Sequence, residues 1–193
     1  MKIAIIRYNA GNIHSVRLAI QRLGFEPLVT EELEAIRTAD KVIFPGVGEA
    51  SSAMRYIQHN GIAALLPELQ QPVLGICLGL QLMCRYSEEN DTSCLGIFDA
   101  AVRKFPPKDK VPHIGWNTIR ALNGVLFAGI DPEAYVYFVH SYYAELGPQT
   151  TARTDYILSF SAALQWRNFY AVQFHPEKSG AVGEQILKNF LEL

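Results

Sequence analysis

Cysteine is scarce in this sequence: three among 193 residues, at Cys77, Cys84 and Cys94. The odd count and the length of the chain argue against a secreted disulfide framework. None of the three stands in the C-x-x-C spacing of a zinc or redox site. An excess of either charge is missing too, with 17 Lys and Arg against 19 Asp and Glu and a net charge of −2. A nucleic-acid binder usually carries a basic face, so that class is disfavoured. Long apolar runs are also lacking. The opening MKIAIIRYN breaks off at Arg7, too short for a signal-peptide core or a membrane span. No later run approaches the roughly 20 apolar residues that cross a bilayer. Internal repeats and low-complexity tracts are absent. The expectation is one domain over residues 1–193, in a reducing cytoplasm.

What is present is an ordinary globular composition, 49% hydrophobic and 19% charged. The first half alternates strand-like and helix-like segments. Lys2–Ile6 is a β-branched run suited to a strand buried on both faces. Asn12 stands where an N-cap would, before apolar Ile13, Val16, Ile20 and Leu23 at helical spacing, with Gly24 as the stop. Glu26–Thr30 and Lys41–Phe44 read as strands, the latter ending in Pro45-Gly46-Val47-Gly48. Ala50–Gln58 reads as a helix, Pro72–Ile76 as a strand and Leu78–Arg85 as a helix. This repetition implies a mostly parallel sheet with helices on both faces. Ligands in such sheets gather at the carboxyl ends of the strands. The second half reads as short strands added antiparallel to that sheet, around Ala101–Lys104, Gly115–Ile119, Tyr135–Val139 and Tyr170–Gln173. A last helix spans about Ala181–Leu191.

Gly75-Ile76-Cys77-Leu78-Gly79 has the form G-x-C-x-G between a strand and a helix. In the related serine elbow a sharp turn exposes the nucleophile, and the flanking glycines avoid clashes. A helix N-terminus favours a thiolate, and its free N–H groups can serve an oxyanion. The competing reading of Cys77 is a buried packing residue. Cys84 reads as a core helical residue and Cys94 as incidental.

Gln173-Phe174-His175-Pro176-Glu177 supplies a possible base and its orienter. In an extended segment His175 and Glu177 project to the same side. A carboxylate beside an imidazole holds its tautomer while the other ring nitrogen faces a thiol. A surface histidine beside a turn proline is the alternative. His14, His59, His113 and His140 are other candidate bases. His59 reads as a solvated helix end, and His113 and His140 lie in aromatic-rich segments.

Together, PGVG, GICLGLQ and FHPEKS resemble the class I, triad-type glutamine amidotransferases over essentially the whole chain. RYNAGNIHSV, PHIGWN, YFVHSYY and QFHPEKSG resemble, within that class, the glutaminase subunits of imidazole glycerol phosphate synthases. The resemblance implies a flavodoxin-like α/β fold. It implies hydrolysis of glutamine through Cys77, His175 and Glu177 and a thioester intermediate. Backbone N–H groups of Val47 and Leu78 would form the oxyanion hole. Gly46, Gly48, Gln81, Glu89, Ser141 and Tyr142 would surround the substrate. The implied partner is a (β/α)8-barrel cyclase subunit that takes the ammonia to make imidazole glycerol phosphate and AICAR in histidine biosynthesis. His113, Trp116, Asn117, Tyr137 and Lys178 match the face that meets it. No metal or cofactor is implied.

Arg7 and Asn9 depart from the family, which often has Asp and Gly there. Rival readings are another synthase's glutaminase, a catalytically dead assembly protein, a γ-glutamyl peptidase and a phosphate-binding module. The last would need a longer Gly-Lys loop.

Overall fold

The structure, a computed structural model, describes residues 1–8 and 12–193. The departure noted at Asn9 lies outside the described residues. Strand β1 (Ile3–Ile6) leads to helix α1 (Ile13–Arg22), β2 (Leu28–Thr30), the short α2 (Leu33–Arg37) and β3 (Lys41–Gly46). Helices α3 (Ala50–His59) and α4 (Ile62–Leu65) cross to β4 (Val73–Cys77), which runs directly into α5 (Leu78–Met83). Then come β5 (Cys84–Ser87), β6 (Thr92–Ser93), β7 (Phe98–Lys104), β8 (His113–Thr118) and β9 (Tyr135–His140). The chain closes with β10 (Tyr142–Ala144), β11 (Thr150–Tyr156), β12 (Leu158–Trp166), β13 (Phe169–Val172) and α6 (Gly180–Leu191).

The main sheet runs β2-β1-β3-β4-β13-β12-β10-β7-β5-β6, with β11 added on β12. The β2-β1-β3-β4-β13 block is parallel. It is covered on both faces, as its sequence requires. Ala4 and Ile6 of β1 face one apolar cluster, with Phe44, Leu78 and Leu80. Ile3 and Ile5 face the other, with Ile43, Leu74, Phe174 and Phe190. That alternation is the period of two of a strand. Helix α1 stops as expected, with Gly24 at φ +88° donating its N–H to the Gln21 carbonyl. Among the described residues no helix is long and apolar enough to cross a membrane.

Several expectations need correction. β8 and β9 pair with each other in a separate two-stranded sheet and do not extend the main one. Strand β13, read as an antiparallel addition, lies parallel to β4 between it and β12. Helix α5 ends at Met83, and Cys84 opens a strand, buried but not helical. The apolar periodicity of 78–85 fits either state, and pairing with β7 decides it. Asn12 makes no side-chain cap of α1. The long β12 and its partner β11 carry no clean alternation, and sequence reading passed over both.

Candidate active site

β4 ends at Cys77, and the elbow is strained there: Cys77 has φ 55° and ψ −105°. A non-glycine residue in that region costs on the order of 1–3 kcal/mol, and such strain gathers at functional sites. The flanking glycine is obligatory for a packing reason. A Cβ on Gly79 would stand 1.9 Å from the Phe44 carbonyl oxygen. Only a hydrogen there lets α5 start this close to β3. The register pairs Gly46 with Cys77, so the end of β3 lies alongside the elbow.

The C-terminal end of β13 delivers the second pair. His175 is extended, at φ −99° and ψ 96°, as a residue before proline should be. Residues Pro176–Lys178 then form one 3-10 turn, not the extended segment expected. That turn curls Glu177 back, so that His175 Nδ1 lies 2.7 Å from Glu177 Oε1 with both side chains sealed from solvent. Asn12 donates its side-chain N–H to the same Glu177 oxygen. Burial pulls the His175 pKa down, but the neighbouring Cys77 and the hydrogen-bonded Glu177 carboxylate outweigh it and push it up to about 10. Cys77 and Glu177 thus both act on one imidazole, across a sequence separation of about 100 residues.

A cavity of about 310 Å³ opens in front of Cys77. Val47, Gly48, Leu78, Gln81, Glu89, Ser141 and Tyr142 all line it, together with His140 and Val139. Gly46 stands behind this wall, where a Cβ would meet the Tyr8 hydroxyl at 2.1 Å. Leu78 opens α5, so its N–H is among the free donors of that helix terminus. Glu89 accepts the Ala50 N–H at 2.7 Å, and burial raises its pKa.

The β8–β9 hairpin sorts its residues by face. Trp116 is 55% exposed, and its ring meets the Tyr137 ring at 6.0 Å and 77°. Lys178 Nζ lies 5.9 Å above the Tyr137 ring. These three residues share one surface, but Asn117 leaves the expected interface set: next to Trp116 on β8, it lies on the opposite face with His113, where its Nδ2 meets His113 Nε2 at 3.3 Å and donates to the Asp155 carbonyl at 3.1 Å. His113 departs from the expected interface set, because it faces inward and is only 4% exposed. It stacks between Tyr156 and Phe138, with centroids 4.1 and 4.8 Å away. Its Nδ1 lies 3.0 Å from His140 Nε2. Burial pulls both pKa values down, to about 4 for His113 and about 3 for His140. His59 and His14 are exposed, on α3 and α1, and neither lines the cavity.

Sequence reading missed Gln173, although it opens the QFHPE segment. Gln173 is fully buried, and its Nε2 lies 3.6 Å from Cys77 Sγ. Among the described residues no cluster of His, Cys, Asp and Glu could hold a metal ion.

The family model for glutamine amidotransferase class-I matches residues 6–193. Imidazole glycerol phosphate synthase subunit HisH of Bacteroides fragilis is 59% identical over the whole of both chains. The subunit of the same name from Pectobacterium atrosepticum is 46% identical, again over the whole of both. Among solved structures, a putative GMP synthase subunit from Thermoplasma acidophilum superposes with a TM-score of 0.76 at 20% identity. The match covers 100% of this chain and 93% of that one. PurLQS from Thermotoga maritima gives 0.74 at 16% identity, over 99% of this chain and 97% of that one. Those two likenesses establish the fold.

Proposed function

The chain belongs to the glutamine amidotransferase class-I family and, within it, groups with the imidazole glycerol phosphate synthase HisH subunits; on that footing we propose that it is the synthase's glutaminase, cutting glutamine through Cys77, His175 and Glu177. The observation that carries this reading is the strained Cys77, which lines a cavity of about 310 Å³ and acts on the His175 of the sealed His175–Glu177 pair.

The geometry supports the following sequence. Cys77 attacks the side-chain amide carbon of glutamine, and His175 takes the thiol proton. The developing oxyanion accepts hydrogen bonds from the Val47 and Leu78 backbone N–H groups. Collapse of the tetrahedral intermediate breaks the C–N bond, and His175 returns the proton to the leaving ammonia. Water deprotonated by His175 then cleaves the thioester and releases glutamate. Glu177 fixes the Nδ1–H tautomer of His175 and stabilises the imidazolium. Gln81 and Glu89 hold the polar end of the substrate, with Ser141 and Tyr142 beside its carboxylate.

The ammonia passes to a (β/α)8-barrel cyclase docked on Trp116, Tyr137 and Lys178, which makes imidazole glycerol phosphate and AICAR. Exposed tryptophan and tyrosine are typical anchors of such a contact. The chain's three free thiols suit a reducing cytoplasm. The test is glutamate release by the purified chain, alone and with the barrel cyclase plus its nucleotide substrate, and by Cys77→Ala. Release that rises sharply in the mixture and vanishes in the variant is expected. Equal activity of the chain alone would point to a free-standing glutaminase or peptidase.

A further inference from the structure

Gln173 takes no part in the triad, yet it touches the reacting sulfur. Its Nε2 lies 3.6 Å from Cys77 Sγ and its Oε1 lies 3.0 Å from Gln81 Nε2. The hydrogen-bond network itself fixes which end is nitrogen. The Gln81 amide lies 3.0 Å from the backbone carbonyl oxygen of Tyr142. A carbonyl oxygen only accepts, so the Gln81 atom there is its nitrogen. The second hydrogen of that nitrogen points at Gln173, whose facing atom must then be the acceptor oxygen. Gln173 therefore turns its N–H to the sulfur. Both amide hydrogens of Gln81 are committed within the protein, so Gln81 offers a ligand in the cavity only its carbonyl oxygen.

The anchor of this order is held from the other side. His140 Nδ1 donates to the same Tyr142 oxygen at 2.7 Å. His140 Nε2 must then accept, and His113 Nδ1 donates to it at 3.0 Å. His113 Nε2 in turn accepts from Asn117 Nδ2 at 3.3 Å. Burial keeps both rings neutral, which this order of donors and acceptors requires. Among the described residues, the sulfur's own hydrogen meets a weak acceptor, the Val139 carbonyl at 3.9 Å. Ionisation removes that contact and strengthens the one from Gln173. Among the described residues, the titratable groups that act on the sulfur or line the cavity with it are His175, Tyr8, His140, Glu89 and Tyr142.

We propose that Gln173 is a further catalytic residue, whose amide N–H stabilises the Cys77 thiolate, and that Gln81, Tyr142 and His140 hold it in that orientation. The inference rests on Cys77 as the nucleophile. It is tested by a readout that does not need turnover. The rate of iodoacetamide modification of Cys77 is followed against pH, with peptide mapping to separate it from Cys84 and Cys94. Wild type is compared with Gln173→Met and Gln173→Glu. A hydrogen bond to the charged form favours that form, so Gln173→Met should move the profile up by about one pH unit. In the complex with the barrel cyclase, kcat for glutamate release should fall about tenfold with KM little changed. Gln173→Glu brings an acceptor against the sulfur and should move the profile further up. Gln81→Leu keeps Gln173 but frees its amide to turn over, and should give a smaller upward move. Unmoved profiles in Gln173→Met and Gln81→Leu would overturn the proposal. If Gln173→Met fails to fold by thermal melt, Gln81→Leu decides alone. Glutamate release that survives in Cys77→Ala would sink the nucleophile reading instead, and the alkylation profiles would still report the Gln173 contact.

Discussion

His175 Nδ1 lies 2.7 Å from Glu177 Oε1 across a single proline, with neither side chain open to solvent. A carboxylate this close and this dry fixes the proton on Nδ1 and leaves Nε2 to work on the thiol. Glu177→Gln keeps the shape but removes the charge that stabilises the imidazolium. Its kcat for glutamate release in the complex should fall by about 10²–10⁴-fold, with KM for glutamine within a few-fold. A variant with wild-type kcat would remove Glu177 from the mechanism.

The elbow predicts a conflict between stability and activity. Cys77 holds φ 55° without being glycine. Cys77→Gly should abolish glutamate release and yet raise the unfolding free energy by about 1 kcal/mol, through relief of backbone strain. The loss of a small buried side chain opposes this gain, so Cys77→Ala is the reference for both melts. Urea titrations of the two variants give the difference directly. A glycine variant less stable than the alanine variant would mean that the elbow is not strained.

The histidines set a stability maximum near pH 6.5. His113 and His140 have folded pKa values pulled below the unfolded value, to about 4 and about 3. The unfolded chain therefore binds more protons as the pH falls, and stability drops from about pH 6.5 downward. His175 is raised to about 10, so its contribution is complete below pH 6.5 and is lost as the pH rises towards 10. Melting temperatures across pH 4–10, with His113→Phe to blunt the acid arm, check the assignment. An acid arm that starts only in the carboxylate range, near pH 4, would contradict it.

Trp116 separates partner binding from folding. It is exposed and packs edge-on against Tyr137. Trp116→Ala should weaken binding of the barrel cyclase by at least about 30-fold, the loss of an aromatic anchor worth about 2 kcal/mol or more. The variant's own stability should change by no more than about 0.5 kcal/mol, as for an exposed side chain. Titration calorimetry and a urea melt measure the two. Unchanged affinity would place the interface elsewhere.

Much of the fold was legible along the chain because the parallel strands are buried on both faces and read as unbroken apolar runs. Lys41–Phe44 and Pro72–Ile76 are such runs, and both were found within a residue or two of their ends. The antiparallel half was harder. Strands β11 and β12 owe their state to each other, through pairings such as Thr154 with Phe160. Composition says little about a strand whose neighbour is unknown. For the same reason the β8–β9 hairpin was expected on the main sheet, although it stands apart.

The sequence alone determined which chemistry is available: a thiol between glycines at a strand–helix turn, and a histidine and a glutamate held apart by proline. Local sterics decide those features, and local sterics are written in the order of residues. Tertiary structure alone decided that the 3-10 turn brings Glu177 to His175, that His113 faces inward, and that Gln173 touches the sulfur. Each of these depends on which carbonyl, ring or backbone a buried polar atom meets. A buried polar atom must find a partner, and only the packed chain brings that partner within reach.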